Sequence, residues 1–485
     1  MPRLLVTEKG TVREIVFEGE KTVSRVLMDN GVQAKHPCGG RGTCKKCMMK
    51  MEGALSPRTE AERELPCGLR LSCQAKLLGD AQVWVDEETM LHIQSDGVMP
   101  AFSLNPVEGK IGSAVDIGTT TVAVRLIDLA AGRVLGTRSM ENPQRSIAAD
   151  VIGRMEAAMA GKSEILERLI RDAVDGMILS MCREQGIPAC DVRVITGNTT
   201  MLYLYTGKDP VTLSRAPFEA DCLFGCREGE NIYPPCMSAF VGADITCALL
   251  AADVLHTTDT VLLIDVGTNG EIALWKDGKL LVSATAAGPA FEGGGIEMGL
   301  GSVKGAIDKV WVEDGKILHT AIGGEKAVGL CGSGIIDAMA AMLETEQVDE
   351  TGAADEDELY ITDRVYLSAQ DIRSIQLAKG AIAAGIKTLM DEEGVTAKDI
   401  DRMYLAGGFG AHLNLNSAAK IGLIPEELVQ KTVVLGNAAL SGAHMLLLNR
   451  DYGDDAKKLC QLARTVNLGG NPAFTENFME CMLFE

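Results

Sequence analysis

This sequence predicts an α/β protein in two unequal parts: a short β-rich segment with clustered cysteines, then a longer α/β region built from one unit used twice. Three observations predict it. The stretch HPCGGRGTCKKC places Cys38, Cys44 and Cys47 within residues 36–47, and Cys73 follows in RLSCQ. An apolar strand running into Asp-(Ile/Val)-Gly-Thr occurs twice, at Asp116 and at Asp265. Each copy is followed by matching strand–glycine–helix steps. VRVITGNTTM (192–201) parallels RMYLAGGFGA (402–411), and SAFVGADITCALLAADV (238–254) parallels TVVLGNAALSGAHMLLL (432–448).

Composition narrows the function. A chain of 485 residues has room for two to four domains. Its formal charge is −21, yet residues 1–95 carry 14 Lys/Arg against 13 Asp/Glu, so the acidity belongs almost wholly to the longer part. No basic stripe exists, which excludes nucleic acid as an expected partner. The start, MPRLLVTEKG, lacks a signal-peptide pattern, and no run approaches the roughly 18 apolar residues of a membrane span. The expectation is a cytoplasmic protein with no membrane partner. In such a reducing compartment, 14 cysteines argue for metal ligands and buried thiols over disulfides.

The N-terminal elements follow in order. LLVTEKGTVREIVFEGEKTVSRVLMDNGV reads as a hairpin and a short amphipathic helix, and RLSCQAKLLGDAQVWV as two closing strands. Between them the spacing is Cys38-x5-Cys44-x2-Cys47-x25-Cys73. That is the spacing logic of one 2Fe–2S cluster, three thiolates on a glycine loop and the last on a distant strand. Gly39, Gly40 and Gly42 leave room for backbone N–H groups to approach cluster sulfides. A four-cysteine zinc site usually presents two CxxC pairs, and only one stands here. A thioredoxin-like CxxC would open a helix, with no third cysteine just upstream. Cys67 rivals Cys73; Cys73 is preferred for its strand-like context. Residues 1 to about 90 resemble the β-grasp ferredoxins. The five-residue gap departs from the plant-type pattern and is similar to vertebrate-type and bacterial activator ferredoxin domains.

The expected organisation is a ferredoxin-type domain over 1–94, a linker over 95–110, and two halves over 111–256 and 257–485. Each half reads as β-β-β-α-β-α-β-α, the second enlarged by insertions around 305–365. Hairpin tips of glycine and small hydroxyls wrap phosphate oxygens with N–H and Oγ groups. Gly118, Thr119, Thr120 and Thr121 form one such tip; Gly267, Thr268 and Asn269 form the other. Asp116 and Asp265, closing the strands before them, suit Mg2+ held through water. AGGFG (406–410), with Gly407, Gly408 and Phe409, offers a flat turn for an adenine. AGKS (160–163) has the Lys-Ser of a phosphate loop but Glu156 where the leading glycine belongs, and it sits between helical stretches.

These turns resemble the phosphate and adenosine motifs of the ASKHA superfamily, which implies a duplicated ribonuclease-H-like, actin-like ATPase that binds ATP with Mg2+. A β-grasp ferredoxin ahead of such an ATPase looks like the reductive activators of corrinoid proteins. ITGNTTM (195–201), PPCMSAFVGADI (234–245), LCGSGIIDA (330–338) and AGGFGAHL (406–413) are similar to that family's stretches, and the resemblance spans nearly the whole chain. The short connection between the parts departs from larger members. The resemblance implies ATP-dependent transfer of one electron from the 2Fe–2S cluster to a corrinoid Co(II), regenerating Co(I). It further implies nucleotide contacts at Gly332 and Ser333, a corrinoid protein of a methyltransferase system as partner, a low-potential donor such as a ferredoxin or flavodoxin, and homodimerisation. Asp244 either orients a nucleophilic water or ends a strand. Two other readings stand beside this one: an ATP-gated donor to another low-potential enzyme, such as a 2-hydroxyacyl-CoA dehydratase, and a non-enzymatic redox or nucleotide sensor. The remaining cysteines, Cys222-x3-Cys226 included, show no four-ligand spacing and read as ordinary core or surface residues.

Overall fold

The computed structural model describes residues 2–8, 11–17, 19–30, 47–63, 65, 68–85, 98–408 and 413–484. They fall into two compact units: Met1–Thr89 with Glu141–Ala173 and Leu204–Pro210, and Met90–Met140 with Val174–Tyr203 and Val211–Glu485. Among the described residues no helix is long and apolar enough to cross a membrane.

In the first unit the chain runs β1 (Arg3–Glu8), β2 (Thr11–Val16), β3 (Lys21–Thr22), α1 (Val23–Asp29), β4 (Met48–Leu55), β5 (Leu69–Leu71) and β6 (Lys76–Val85). The sheet order is β2-β1-β6-β4-β5, with β3 also on β6. β1 and β6 are parallel, so the two ends of the domain lie side by side at the sheet centre. Alternation along β1 turns Leu4 and Val6 inward, where they meet Val23, Val26 and Leu27 of α1 and Leu77 and Val83 of β6. This is the grasp expected of the N-terminal segment. Cys73, however, lies in the turn 72–74 between β5 and β6, not within a strand. Leu71–Ala75 closes on itself there, with the Gln74 and Ala75 N–H groups both donating to Leu71 O at 2.9 Å.

The loop from β4 to β5 is tied by a buried ion pair. Glu62 accepts from Arg70 Nε at 2.8 Å, from Leu71 N at 2.9 Å and from Thr59 N at 2.9 Å. The same unit takes in α2 (Val151–Ala157) and the first part of α3 (Ser163–Glu184). A π-helical turn over Ala158–Lys162, containing the AGKS lysine, joins these helices instead of a phosphate loop.

The second unit holds the duplication. Its first sheet comprises β7 (Ile111–Ile117), β8 (Thr121–Asp128), β9 (Arg133–Glu141), β10 (Val192–Gly197), β11 (Phe224–Glu228) and β12 (Asn231–Pro235), ordered β11-β12-β10-β7-β8-β9. Its second sheet is built on β13 (Val261–Val266), β14 (Gly270–Lys276) and β15 (Lys279–Thr285). An insertion of β16 (Ala306–Glu313), β17 (Lys316–Ala321), β18 (Gly329–Leu330), β19 (Glu358–Tyr360) and β20 (Tyr366–Ser368) follows. β21 (Arg402–Ala406), β22 (Thr432–Gly436) and β23 (Ala463–Thr465) complete the sheet in the order β22-β21-β13-β14-β15-β23. β7-β8-β9 with β10 thus repeats as β13-β14-β15 with β21.

The helices are α4 (Thr199–Thr206), α5 (Val211–Ser214), α6 (Ala243–Ala251), α7 (Gly332–Glu344), α8 (Ala369–Glu393), α9 (Leu415–Lys420), α10 (Ala438–Leu448), α11 (Tyr452–Leu462) and α12 (Pro472–Glu480). Leu262, Ile264 and Val266 face the core under α7 and α8; Val261 and Leu263 face the layer of α6 and α10. Period two therefore places Asp265 on the α6/α10 face, and Asp116 likewise follows Ala114 onto that face.

Two further expectations change. Residues 238–242 precede α6 without forming a strand: Met237 and Ser238 both donate to Val241 O in a tight turn, and β12 takes the sheet position beside β10. Residues 98–107, inside the span read as a linker, are bonded to the second half. Val98 N donates to Leu435 O at 3.1 Å, Asn105 N to Leu448 O at 2.9 Å and Val107 N to Leu447 O at 3.0 Å.

Candidate functional site

A cleft of about 270 Å³ opens where the β7–β8 and β13–β14 hairpin turns face each other. The turns form for a local reason. Ladder pairing runs through Asp116↔Ala123 and Ile117↔Val122 in one hairpin, and through Asp265↔Glu271 and Val266↔Gly270 in the other. The connecting residues must then reverse in three or four steps, and Gly118 N donates to Thr121 O, as Gly267 N does to Asn269 O, both at 2.9 Å. Their hydroxyls and remaining N–H groups are left at the cleft.

The structure brings together Asp116, Gly118, Thr119, Thr120, Thr121, Asp244, Asp265, Gly267, Thr268, Asn269, Gly332, Ser333, Gly407 and Gly408 around this cleft. Phe409 lies outside the described residues. Four helix starts contribute to the lining: Asn198 before α4, Asp244 in the first turn of α6, Gly332 and Ser333 opening α7, and Asn437 before α10. Helix N-termini carry partial positive charge and unsatisfied N–H groups, which favours anions. Gly407 allows β21 to pass close: at φ +90°, a Cβ there would sit 2.5 Å from Asp265 Oδ1.

Asp244 lies in the first turn of α6 and does not end a strand. Sequence reasoning passed over Asn198, Asn437, Glu271 and Glu292. Asn437 Nδ2 donates to Asp116 Oδ2 at 2.9 Å, while its Oδ1 caps α10 by accepting from Leu440 N at 2.8 Å. Asn198 caps α4 in the same way and reaches the same turn, donating to Thr119 Oγ1 at 3.2 Å and accepting from Met201 N at 2.9 Å. Each follows a strand and a glycine, so the N-cap pattern was visible; its reach into the cleft was not. Glu292 accepts from Thr120 Oγ1 at 2.7 Å and from Thr268 Oγ1 at 3.1 Å, and nothing local in its sequence signals this.

The electrostatics are those of carboxylates crowded away from water. Burial raises Asp116 to about 6, with the Asn437 hydrogen bond opposing it. Burial, then the charges of Asp116 and Glu292, raise Asp265 to about 7. Burial, then Asp265 and Asp116, raise Asp244 to about 8. Glu271 is pushed well up by burial and by Asp244 and Asp265. Such a group ionises fully only beside a cation or donors that offset its mutual repulsion.

In the first unit, Cys47 and Cys73 are buried with their sulfurs 3.2 Å apart, far longer than a disulfide bond of ~2.05 Å. Ser72 N donates to Cys47 O at 3.0 Å, which holds the two segments in register, and the Gln74 side-chain amide lies 3.7 Å from Cys73 Sγ. Two thiols presented side by side with an amide donor fit a thiolate-held iron–sulfur group. Cys38, Cys44 and the rival Cys67 lie outside the described residues.

Comparison with known proteins follows the same division. Residues 6–78 match the 2Fe–2S iron–sulfur cluster binding domain, 111–257 the RACo middle region, and 259–485 the C-terminal domain of RACo, described as the ASKHA domain. The chain is 28% identical to the corrinoid activation enzyme RamQ of Eubacterium limosum, over 97% of each chain. It is 26% identical to the [Co(II) methylated amine-specific corrinoid protein] reductase of Methanosarcina barkeri, over 72% of each. Among solved structures, a reductive activator for corrinoid, iron–sulfur protein superposes with a TM-score of 0.71 at 25% identity, covering 100% of this chain and 98% of that one.

Proposed function

The chain belongs to the RACo family of reductive activators of corrinoid proteins, and from that premise we propose that it couples ATP binding in the cleft to the one-electron reduction of a corrinoid cobalt. Its reaction is the reductive activation of a corrinoid protein, returning inactive Co(II) to nucleophilic Co(I). The observation that carries the coupling is the pairing of two sites in one chain: a thiol pair at Cys47 and Cys73, and a cleft lined by two phosphate-type turns.

Cys38, Cys44, Cys47 and Cys73 would hold the 2Fe–2S cluster, which supplies one-electron chemistry. Cys47 and Cys73 are buried with Leu71, and the half-buried Ala61 and Leu65 pack against them, which limits the water that reaches the thiolates. In the cleft, Thr119, Thr120, Thr121, Thr268 and Asn269 offer donors to phosphate oxygens, and Asp116 and Asp265 would hold Mg2+. Gly407, Gly408 and Phe409 would face the adenine. Asp244, with a cation offsetting the charge of its neighbours, would orient an attacking water.

Reduction to Co(I) is uphill for ordinary donors; plant-type clusters sit near about −400 mV. For one electron, a bias of ~180 mV corresponds to about a thousandfold, or ~4 kcal/mol. ATP supplies such a bias only by binding two states unequally. A cleft whose walls come from two repeated halves meets that requirement, because bridging both turns favours the state in which they are close. The partner is a corrinoid protein of a methyltransferase system, the donor a ferredoxin- or flavodoxin-like protein, and the active form a homodimer.

The test mixes anaerobic protein carrying its cluster with a Co(II) corrinoid protein, a low-potential chemical reductant and Mg-ATP, and follows the visible bands of Co(I). Co(I) is expected only when ATP and cluster are both present. Equal Co(I) formation without ATP would sink the coupling.

A further inference from the structure

Resting on the nucleotide reading of the cleft, we propose that Glu292 reads the terminal phosphoryl group: its carboxylate clasps the two hairpin turns together, and a triphosphate, unlike a diphosphate, must displace it.

One carboxylate oxygen makes both contacts. Glu292 Oε2 accepts from Thr120 Oγ1 at 2.7 Å and from Thr268 Oγ1 at 3.1 Å. These hydroxyls sit on opposite turns, one in each half of the duplicated unit, so the oxygen within reach of both stands between them. A phosphoryl oxygen that spans the same turns needs the same donors. A threonine hydroxyl has one hydrogen to give, so Thr120 and Thr268 cannot serve the carboxylate and the phosphoryl group at once. The carboxylate charge, already close enough to raise Asp265, also opposes an incoming anion. A diphosphate that ends short of this point leaves the clasp closed.

The clasp is wired to other walls of the cleft. Glu292 ends a 3-10 turn over Ala290–Glu292, and Gly288 N just before it donates to Thr268 O at 2.9 Å. Just after it, Gly293 (φ +74°) and Gly299 fold the chain onto itself so closely that a Cβ on either would strike the backbone of the facing segment. The far end of this knot is bonded to the strand that feeds α7: Leu300 N donates to Leu330 O at 2.7 Å, and Leu330 N to Met298 O at 2.8 Å. Two and three residues beyond Leu330, Gly332 and Ser333 line the cleft again. A side chain released at Glu292 therefore removes one tie on segment 288–300, which stays attached to Thr268 O, to Asp371 of α8 through Glu297 N, and to the start of α7. That gives triphosphate and diphosphate different states of the same wall, which is the differential binding a nucleotide-driven bias requires.

Glu292→Gln keeps the shape and removes the charge. Calorimetric titration of wild type and variant, with Mg2+ and either a non-hydrolysable ATP analogue or ADP, reads the effect as a ratio. The triphosphate is expected to bind about tenfold more tightly to the variant, from the loss of two charge-assisted hydrogen bonds that it must otherwise break, with ADP affinity rising by much less, so that the ratio of the two shifts toward the triphosphate. An unchanged ratio, or a fall in triphosphate affinity, overturns the proposal, since Glu292 would then be structural or a direct ligand. A wild type that binds neither nucleotide overturns the nucleotide reading and the clasp with it. If the variant fails to fold, hydrogen exchange on the wild type decides: peptides over 288–302 should exchange faster with the ATP analogue than with ADP, and equal exchange overturns the clasp. Cobalt reduction is not among these readouts, so a failed corrinoid assay does not alter what the titration shows for Glu292.

Discussion

At the scale of single residues, the cleft acids set how the nucleotide-free protein responds to pH. Asp116, Asp265 and Asp244 are raised to about 6, 7 and 8 from an ordinary 3.8. A carboxyl whose pKa is higher folded than unfolded contributes stability that is full below its unfolded value and is lost as pH rises through the folded one. The window thus runs from about 4 to about 8. We predict that the protein, stripped of nucleotide and divalent ions, melts at a higher temperature at pH 5.5 than at pH 8.5. Asp244→Asn, which cannot ionise, should flatten that slope and raise the melting temperature at pH 8.5. An unaltered slope in the variant would show that Asp244 is not part of the repulsion.

At the scale of elements, the loop joining β4 to β5 depends on Glu62, which is fully buried with Arg70 across from it. Burial alone would raise this carboxyl, but the Arg70 guanidinium and the N–H groups of Thr59 and Leu71 hold it at about 2. Here the sign reverses: the contribution is present above about 4.5 and is lost as pH falls through about 2. Removing one partner of a buried pair typically costs about 3–5 kcal/mol, because the other charge is left without compensation. The loop leads straight into β5 and the Cys73 turn, so its loosening reaches the thiol pair. Glu62→Gln should accordingly lose its cluster absorption at a lower temperature than wild type, while calorimetric nucleotide affinity stays the same. Retention of the wild-type bleaching temperature would place the support of Cys73 elsewhere.

At the scale of the whole molecule, two units with separate apolar cores should fail separately. One core gathers Leu4, Val26, Leu27 and Val83; the others gather around β13 and around α6 and α10. Cys47→Ser should abolish the cluster spectrum and leave Mg-ATP binding intact. Asp265→Ala should weaken Mg-ATP binding by at least about tenfold, the scale of one lost charged contact, with the spectrum unchanged. Both should stop Co(I) formation in the ATP-dependent assay. A Cys47→Ser protein that still reduces cobalt at the wild-type rate would remove the cluster from the electron path.

Much of this was readable from residues alone, because the signals are local. Apolar runs ending in turn residues made β7 to β10, β13 to β15, β21 and β22 legible, and the two Asp-Gly-Thr turns announced the duplication since a hairpin tip needs those residue types wherever it stands. Cysteine spacing pointed to an iron–sulfur cradle for the same reason: ligand geometry constrains loop length. What only the tertiary structure decided depends on residues far apart in the chain. Residues 238–242 have the apolar character of a strand, yet β12 wins the place beside β10, because sheet pairing is settled by which segment can reach the edge and not by hydrophobicity. Asn437 reads as an ordinary helix cap until the fold carries α10 across to Asp116, 321 residues earlier in the chain. Glu292 gives no local sign at all; it acquires its place from Thr120, 172 residues away, through a glycine knot that brings both turns to one oxygen. Periodicity and turn chemistry act within a few residues and are written in order along the chain. A shared hydrogen-bond acceptor or a common desolvated volume exists only once separate segments have been packed together.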